Sequence, residues 1–207
     1  MLVFGIAGGS GSGKTSVLNV FAKLGAKTID CDELYAEMQR SDEGLRSDIR
    51  NAFGDEVYAP DGTLDRKALG KKVFGDREKL RLLDSITYTR FQKNVDAHFE
   101  KWRAEGVRVA AIDGATMVYA RRSGMFACDR MIGVIAPEDI RVSRVMQRDG
   151  IDAEAALKRI RSQENEEFYR ENCEIIIEND SAGREEFERR ITPVIKEIIS
   201  RTEEETK

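Results

Sequence analysis

The sequence predicts an α/β fold in which a parallel five-stranded sheet is covered by helices on both faces. Five short apolar runs alternate with helical patterns along the chain, and their hydrophobicity is continuous rather than alternating. Such runs are typical of strands that are buried on both faces, as in a parallel sheet. A glycine-rich loop follows the first run, and the length of 207 residues fits one domain with a small subdomain.

The five strands are predicted at residues 2–7, 27–32, 107–113, 131–136 and 174–178. Between the first two strands, Val17, Phe21 and Leu24 share one face of a helix, and Gly25 is well placed to end that helix. The first elements therefore form a compact strand-helix-strand unit.

A helical insertion is predicted over residues 33–105. This stretch has no convincing strand pattern, and its short helical patterns are interrupted at Gly54 and at residues 59–62. We expect it to be a subdomain within a single domain of residues 1–207, and to bind the second substrate.

Two further helices are predicted after the fourth strand, over about residues 138–163, and we interpret them as a lid. Pro137 can open the first of them, with acids in its first turn, and Asp152 can cap the second. A final amphipathic helix starts at about Arg184 and is expected to end before the acidic residues 203–205.

The composition narrows the classes of function. Charged residues make up 35% of the chain and hydrophobic residues 41%, which argues against both a disordered polar chain and a membrane protein. The net charge of −4 gives no global basic excess that would attract nucleic acid or an acidic membrane. Three scattered cysteines without a Cys-x-x-Cys pair suit neither a disulfide framework nor a zinc site. We expect a cytoplasmic protein that is a monomer or a weak homo-oligomer.

The loop after the first strand has the Walker A pattern of glycine, four residues, then glycine, lysine and serine or threonine. Glycines are needed because backbone N–H groups must approach phosphate oxygens closely, and a helix that starts here adds its positive dipole end. Lys14 would neutralise the β and γ phosphates of ATP, and the Thr15 hydroxyl would hold Mg²⁺. The alternative is a glycine-rich turn with an exposed lysine. The predicted ATP contacts in the loop are Gly9, Ser10, Gly11, Ser12, Gly13, Lys14 and Thr15.

Two acids stand at predicted strand ends, where ligands gather in an open α/β sheet. Asp32 ends the second strand, beside the glycine-rich loop if the order is the usual right-handed one, and could take a proton from an acceptor hydroxyl. It could instead cap the following helix, and Asp30 could be the functional acid. Asp113 ends the third strand as in a Walker B site, where it would hold Mg²⁺, although any strand can end in Asp.

Five arginines are spread over the two predicted lid helices: Arg141, Arg144, Arg148, Arg159 and Arg161. Arg144 and Arg148 are four residues apart, so they share a helix face. Guanidinium groups suit phosphate oxygens, and an enzyme that transfers a phosphoryl group needs a closing segment with cations to exclude water. The alternative is a solvated face with pairs such as Glu154 and Lys158.

The motifs and their order along the chain resemble those of the dephospho-CoA kinase family of P-loop kinases. The resemblance covers nearly the whole chain. Besides the loop, the similar segments are residues 24–26, 29–33, 61–69, 73–74, 136–138, 144–150, 159–163 and 177–180. The resemblance implies a three-layer P-loop kinase fold and ATP-dependent phosphorylation of the ribose 3′-hydroxyl of dephospho-CoA, the last step of coenzyme A synthesis. On this resemblance Asp32 matches the catalytic aspartate. Other predicted site residues are Lys14 and Arg144 for catalysis, Arg144, Arg148 and Asn179 for ATP, and Asp32, Asp113 and Arg90 for the acceptor.

Two segments depart from the family pattern on the acceptor side. A His-Pro pair of the family is Tyr88-Thr89 here, and the arginine expected shortly beyond it is Gln92. The run that usually follows the Walker B aspartate is replaced by residues 115–119. The cations that could compensate are Arg90, Arg121 and Arg122.

These departures support a first alternative, a P-loop kinase that acts on another nucleotide, nucleoside or small molecule. A second alternative, from another class, is a nucleotide-dependent regulatory switch. The presence of Asp32 together with the lid arginines speaks against the switch, since a pure switch needs no acceptor base.

Overall fold

The computed structural model describes residues 1–181 and 183–206, and in that part of the chain five strands form one parallel sheet. The strands are β1 (Leu2–Ala7), β2 (Lys27–Asp30), β3 (Val109–Asp113), β4 (Arg130–Ile135) and β5 (Ile175–Glu178). Their order across the sheet is β2-β3-β1-β4-β5, so β1 is central and β2 and β5 are the edges. The predicted five-stranded parallel sheet is confirmed.

The end of β2 differs from the prediction. Strand β2 pairs with β3, which lies between β2 and β1. The reason is burial: β3 is buried over four of its five residues and takes the inner place, while Lys27 of β2 is exposed, as suits an edge. Strand β2 also ends at Asp30, because Cys31 already begins a helix.

The chain divides into two compact units, one formed by Met1–Cys31 and Arg103–Lys207 and the other by Asp32–Trp102. In the second unit, Gly54 ends a helix with φ of 88°, and an isolated bridge joins Tyr58 to Leu64 across the predicted interruption. The helices of this stretch are α2 (Cys31–Ser41), α3 (Glu43–Phe53), α4 (Arg66–Val73) and α5 (Arg77–Ala104).

The first unit holds the sheet, the helices that cover it and the two lid helices. These helices are α1 (Lys14–Lys23), α6 (Met117–Arg122), α7 (Glu138–Asp149), α8 (Ala153–Arg161), α9 (Glu166–Asn172) and α10 (Arg184–Glu205). As predicted, Pro137 stands at the N-cap of α7, and the Asp152 carboxylate caps α8 by accepting a hydrogen bond from the Ala155 N–H at 2.8 Å.

Helix α10 continues to Glu205, so the expectation that it ends before residues 203–205 is wrong. The acids there are neutralised by arginines from the start of the sheet strands. Arg108 donates to Glu203 at 2.6 Å, and Arg130 pairs with Glu205. Because these ion pairs remove the like-charge repulsion of the acidic run, the helix can extend through it.

One face of the sheet packs against α1 and α10, and the other against α6 and α9. Phe4 of β1 and Phe21 of α1 are fully buried with ring centroids 5.1 Å apart. Phe187 of α10 lies in the same cluster. Gly133 of β4 faces the opposite side, where its ideal Cβ would lie 3.1 Å from the Cys173 sulfur that follows α9. This three-layer packing fixes both ends of the loop between β1 and α1.

In residues 1–181 and 183–206, no helix combines the length and the apolar composition that a membrane span requires.

Candidate functional site

The glycine-rich loop, residues 8–15, runs from the end of β1 into the start of α1, and its path requires glycine at two points. At Gly8 a Cβ atom would lie 2.4 Å from the Val134 carbonyl oxygen of the neighbouring strand. Gly13 precedes α1 with φ of 105°, in the left-handed region that side chains disfavour. Since glycine has no side chain to cap the helix, the first turn of α1 faces the loop without a side-chain cap.

Three successive carbonyl groups of this loop accept hydrogen bonds from side chains outside it. The pairs are Ser10 with Arg141 Nε at 2.9 Å, Gly11 with Arg144 Nη1 at 2.9 Å, and Ser12 with Asn179 Nδ2 at 2.8 Å. In a trans peptide the C=O and the following N–H point in opposite directions. The N–H groups of Gly11 and Gly13 are therefore turned away from these side chains, and an anion on that side of the loop would meet donors rather than carbonyl oxygens.

Lys14 and Thr15 begin α1 at the end of the loop. The Lys14 ammonium lies 3.5 Å from the Gly9 carbonyl oxygen, so its side chain reaches back along the loop. Thr15 is exposed at the first turn of the helix. The structure thus brings together the predicted loop residues, Lys14, Thr15, Arg144 and Asn179.

The arginines at the loop form no ion pair with a described acid, although the charge of Glu138 acts on Arg141 at longer range. Arg144 donates to the Asn179 Oδ1 at 3.1 Å and to the Ser181 carbonyl at 2.8 Å, in addition to Gly11. Within residues 1–181 and 183–206, neither Arg141 nor Arg144 forms an ion pair. Burial lowers the pKa of both guanidinium groups from the ordinary arginine value. Because a partly desolvated cation favours a nearby anion, the charge pattern suits a phosphate ligand.

We expect Arg144→Ala to weaken ATP binding about 10- to 100-fold, because the charged hydrogen bond that holds the Gly11 carbonyl, and with it the orientation of the loop N–H groups, is lost; a hydrogen bond from a charged donor contributes roughly 1.5–3 kcal/mol. Titration calorimetry of ATP with the purified variant measures this change. Arg161→Ala is the matched control, since Arg161 also lies on the lid helices but is exposed and paired with Glu138 at 3.0 Å. Equal affinities for the Arg144 variant and wild type would contradict a phosphate-binding role.

The acids predicted at strand ends occupy different kinds of position. Asp113 is the last residue of β3 and is buried, and its Cα pairs with Ile6 of β1 and Asp30 of β2. Asp30 and Asp113 therefore end adjacent strands at the carboxyl end of the sheet, where the glycine-rich loop also leaves β1. Asp32 is not at a strand end and does not cap the helix, because α2 begins at Cys31 and Asp32 lies inside its first turn. A carboxylate there is favoured by the helix dipole.

Several predicted cations are engaged elsewhere. Arg148 pairs with its sequence neighbour Asp149 at 2.7 Å. Arg90 on α5 donates to Asp48 at 2.6 Å, and this hydrogen bond lowers the pKa of the Asp48 carboxyl. The cations considered as replacements after the Walker B aspartate are also held: Arg121 pairs with Glu174 at 2.6 Å and Arg122 donates to Asn172 at 3.3 Å.

Sequence reasoning did not place two residues that contact the loop, Arg141 and Gln163, among the ATP contacts. Arg141 stood out only as one of five lid arginines. Gln163 was notable only for its place in the ordered family pattern, because an uncharged amide has no specific link to nucleotide chemistry. Their contacts join positions 131 and 153 residues apart in sequence, which no local pattern reports.

The oxygen donors at this edge of the sheet suit Mg²⁺. Thr15 offers a hydroxyl and Asp113 a carboxylate, and both are hard oxygen ligands of the kind that Mg²⁺ prefers. No group of three or more His, Cys, Asp or Glu side chains in the described chain could hold a metal by itself. The donor set fits an ion that takes its remaining ligands from nucleotide phosphates and water, which is the usual way that proteins bind Mg²⁺ with a nucleotide.

The similarity of this chain to known proteins extends beyond the glycine-rich loop. A family model described as dephospho-CoA kinase matches residues 2–185. The chain is 33% identical over 180 residues to a dephospho-CoA kinase of Dehalococcoides mccartyi, covering 87% of this chain and 89% of that protein. It is 32% identical over 194 residues to a dephospho-CoA kinase of Geobacter sulfurreducens, covering 94% and 97%. The crystal structure of TT1252 from Thermus thermophilus has a TM-score of 0.73 at 27% identity, covering 95% of this chain and 97% of that one.

Proposed function

The chain belongs to the dephospho-CoA kinase family, and from that premise we propose that it transfers the γ-phosphoryl group of ATP to the ribose 3′-hydroxyl of dephospho-CoA. The product is coenzyme A, so this is the last step of coenzyme A biosynthesis. The observation that supports the nucleotide half of the proposal is the loop itself. Its carbonyl groups at residues 10–12 are held by Arg141, Arg144 and Asn179, and the two arginines form no ion pair with a described acid.

In this proposal the glycine-rich loop binds the phosphates through its N–H groups, and Lys14 and Arg144 supply fixed positive charge. Phosphoryl transfer depends mainly on positioning and electrostatic stabilisation, since charge spreads over the transferring oxygens. Asn179 contributes by holding the Ser12 carbonyl out of the phosphate site. Arg148 would have to leave Asp149 to reach a phosphate.

The proposed binding and deprotonation of the acceptor, dephospho-CoA, depend mainly on Asp32 and Asp113. Asp32 is the proposed general base, which accepts the proton of the 3′-hydroxyl as the oxygen attacks the γ-phosphorus. We propose one P-loop kinase domain over residues 1–207, with residues 33–105 as acceptor-binding insertion and residues 138–163 as lid. Asp113 and Arg90 complete the proposed acceptor contacts, and Arg90 acts from its pair with Asp48.

Thr15 and Asp113 are the residues that would hold Mg²⁺, and the ion would neutralise the charge of the ATP phosphates. We expect Thr15→Ala to raise the Mg²⁺ concentration needed for half-maximal activity, because the hydroxyl ligand is lost while the loop backbone remains. A Mg²⁺ titration of the transfer rate measures this shift. Thr15→Ser is the matched control, since it keeps the hydroxyl and should titrate like wild type; identical curves for the alanine variant and wild type would remove Thr15 from the metal site.

The acceptor is tested by an ATP-consumption assay with dephospho-CoA beside adenosine, uridine and AMP. The proposal predicts that dephospho-CoA stimulates ATP consumption far more than the other three compounds. Preference for another compound would favour a kinase of a different small molecule, as the departures at residues 88–89 and 115–119 suggest. Tight ATP binding without stimulation by any acceptor would favour a regulatory switch. We propose that the protein acts in the cytoplasm as a monomer or weak homo-oligomer, without a nucleic-acid or membrane partner.

A further inference from the structure

Ser10, the third residue of the glycine-rich loop, has all of its polar groups bonded to side chains of the lid region. Its N–H donates to Gln163 Oε1 at 2.7 Å, and its hydroxyl oxygen accepts from Gln163 Nε2 at 3.0 Å. Its carbonyl oxygen accepts from Arg141 Nε at 2.9 Å. Arg141 Nη2 also lies 3.4 Å from Gln163 Oε1, so the three residues form a closed cluster of hydrogen bonds.

The two side chains that hold Ser10 come from opposite ends of the lid segment in sequence. Arg141 is the fourth residue of α7, and Gln163 follows two residues after the last residue of α8. Between them the helices share a small core of Val145, Ala156 and Ile160, all buried. Because α7 and α8 pack as one piece, a shift of either helix moves at least one of the contacts to Ser10.

Arg141 also packs directly on the loop backbone. A Cβ atom at Gly9 would lie 2.2 Å from Arg141 Nη2, so glycine at this position gives the guanidinium its place. The Ser10 N–H is bonded to Gln163 in this structure, and a phosphate oxygen therefore cannot use this N–H while the contact persists. These contacts therefore hold both the backbone and the side chain of Ser10 against the lid region.

We propose that Gln163 and Arg141 are positioning residues, which hold Ser10 so that the loop is preorganised for phosphate and its geometry follows the lid. The inference rests on the proposed function for its kinetic part, but the contacts themselves do not depend on the acceptor. A small misplacement of a loop at a reacting phosphoryl group lowers the rate at saturation, because transfer demands near-ideal orientation. Binding of ATP depends less on this orientation, since the charges of Lys14 and Arg144 remain.

The test compares Gln163→Met with Gln147→Met and wild type. Methionine keeps the length of glutamine but cannot form its hydrogen bonds, and Gln147 is an exposed glutamine of α7 that serves as the matched control. Two readouts are used: hydrogen exchange of a peptide covering the loop without nucleotide, and kcat and KM for ATP with saturating dephospho-CoA. A thermal melt of each variant establishes that it is folded.

For Gln163→Met we expect faster exchange of the loop peptide, a loss of about 10-fold in kcat and a change in KM for ATP of less than about 3-fold. Gln147→Met should match wild type in all three quantities. Ser10→Ala alone should lower kcat. Adding Ser10→Ala to Gln163→Met should lower kcat no further, because both changes break the same cluster of hydrogen bonds. If loop exchange or kcat stays at the wild-type value, the positioning role is overturned. If wild type does not phosphorylate dephospho-CoA, the proposed function fails, and the exchange comparison alone then decides the positioning role.

Discussion

Asp32→Asn is expected to lower phosphoryl transfer by roughly 10² to 10⁴ while ATP affinity stays nearly unchanged. Asparagine keeps the shape of the side chain but cannot accept the proton of the acceptor hydroxyl. If the transition state is loose and the proton leaves late, the carboxylate mainly orients the hydroxyl, and the loss falls at the low end of this range. Single-turnover transfer, measured beside ATP binding, gives both quantities.

A structural role for Asp32 makes a different prediction. Asp32 lies in the first turn of α2, where the loss of one carboxylate from the helix dipole costs about 0.3–1 kcal/mol of stability. That change would appear in a thermal melt and leave transfer intact. Glu33→Gln is the matched control, because Glu33 is an exposed acid of the same turn. Normal transfer by Asp32→Asn, with dephospho-CoA as acceptor, would reject Asp32 as the base and direct attention to Asp30 or Asp113.

Lys14→Ala is expected to remove most transfer, with a loss of roughly 10² to 10³, by analogy with the removal of one preorganised electrostatic donor. The reason is that Lys14 provides a fixed cation at the start of α1, beside the Gly9 carbonyl, where charge develops on the phosphates. Steady-state turnover at saturating ATP measures the loss. Lys196→Ala, which removes an exposed lysine of α10, should leave turnover unchanged. Near-normal turnover of Lys14→Ala would contradict the assignment of the loop to phosphate binding.

Most of the strands could be predicted from the sequence because they are short runs rich in apolar residues, a pattern that is visible without knowing which strand lies beside each of them. The order of the strands could not, since the place of β3 between β1 and β2 depends on packing of the whole sheet. The end of α10 was also beyond a local pattern. Its acidic turn is helical because Arg108 and Arg130, far away in sequence, supply the neutralising charge.

In the candidate site, the glycine-rich loop could be predicted because the residues that bind phosphate are consecutive in the sequence. The roles of the lid cations could not be ranked in the same way. Spacing places Arg144 and Arg148 on one helix face, yet Arg144 contacts the loop while Arg148 pairs with its sequence neighbour Asp149. Gln163 contacts both Ser10 and Arg141, and its residue type carries no signal for the role proposed for it.

The product that forms from dephospho-CoA with ATP and Mg²⁺ shows whether this protein phosphorylates the ribose 3′-hydroxyl. Mass spectrometry and phosphorus NMR identify how many phosphoryl groups are added and to which oxygen. We expect one added phosphoryl group on the ribose 3′-hydroxyl, equimolar ADP, and a product that is identical to coenzyme A. Release of ADP at the same rate without dephospho-CoA, or a phosphoryl group on any other position, would contradict it.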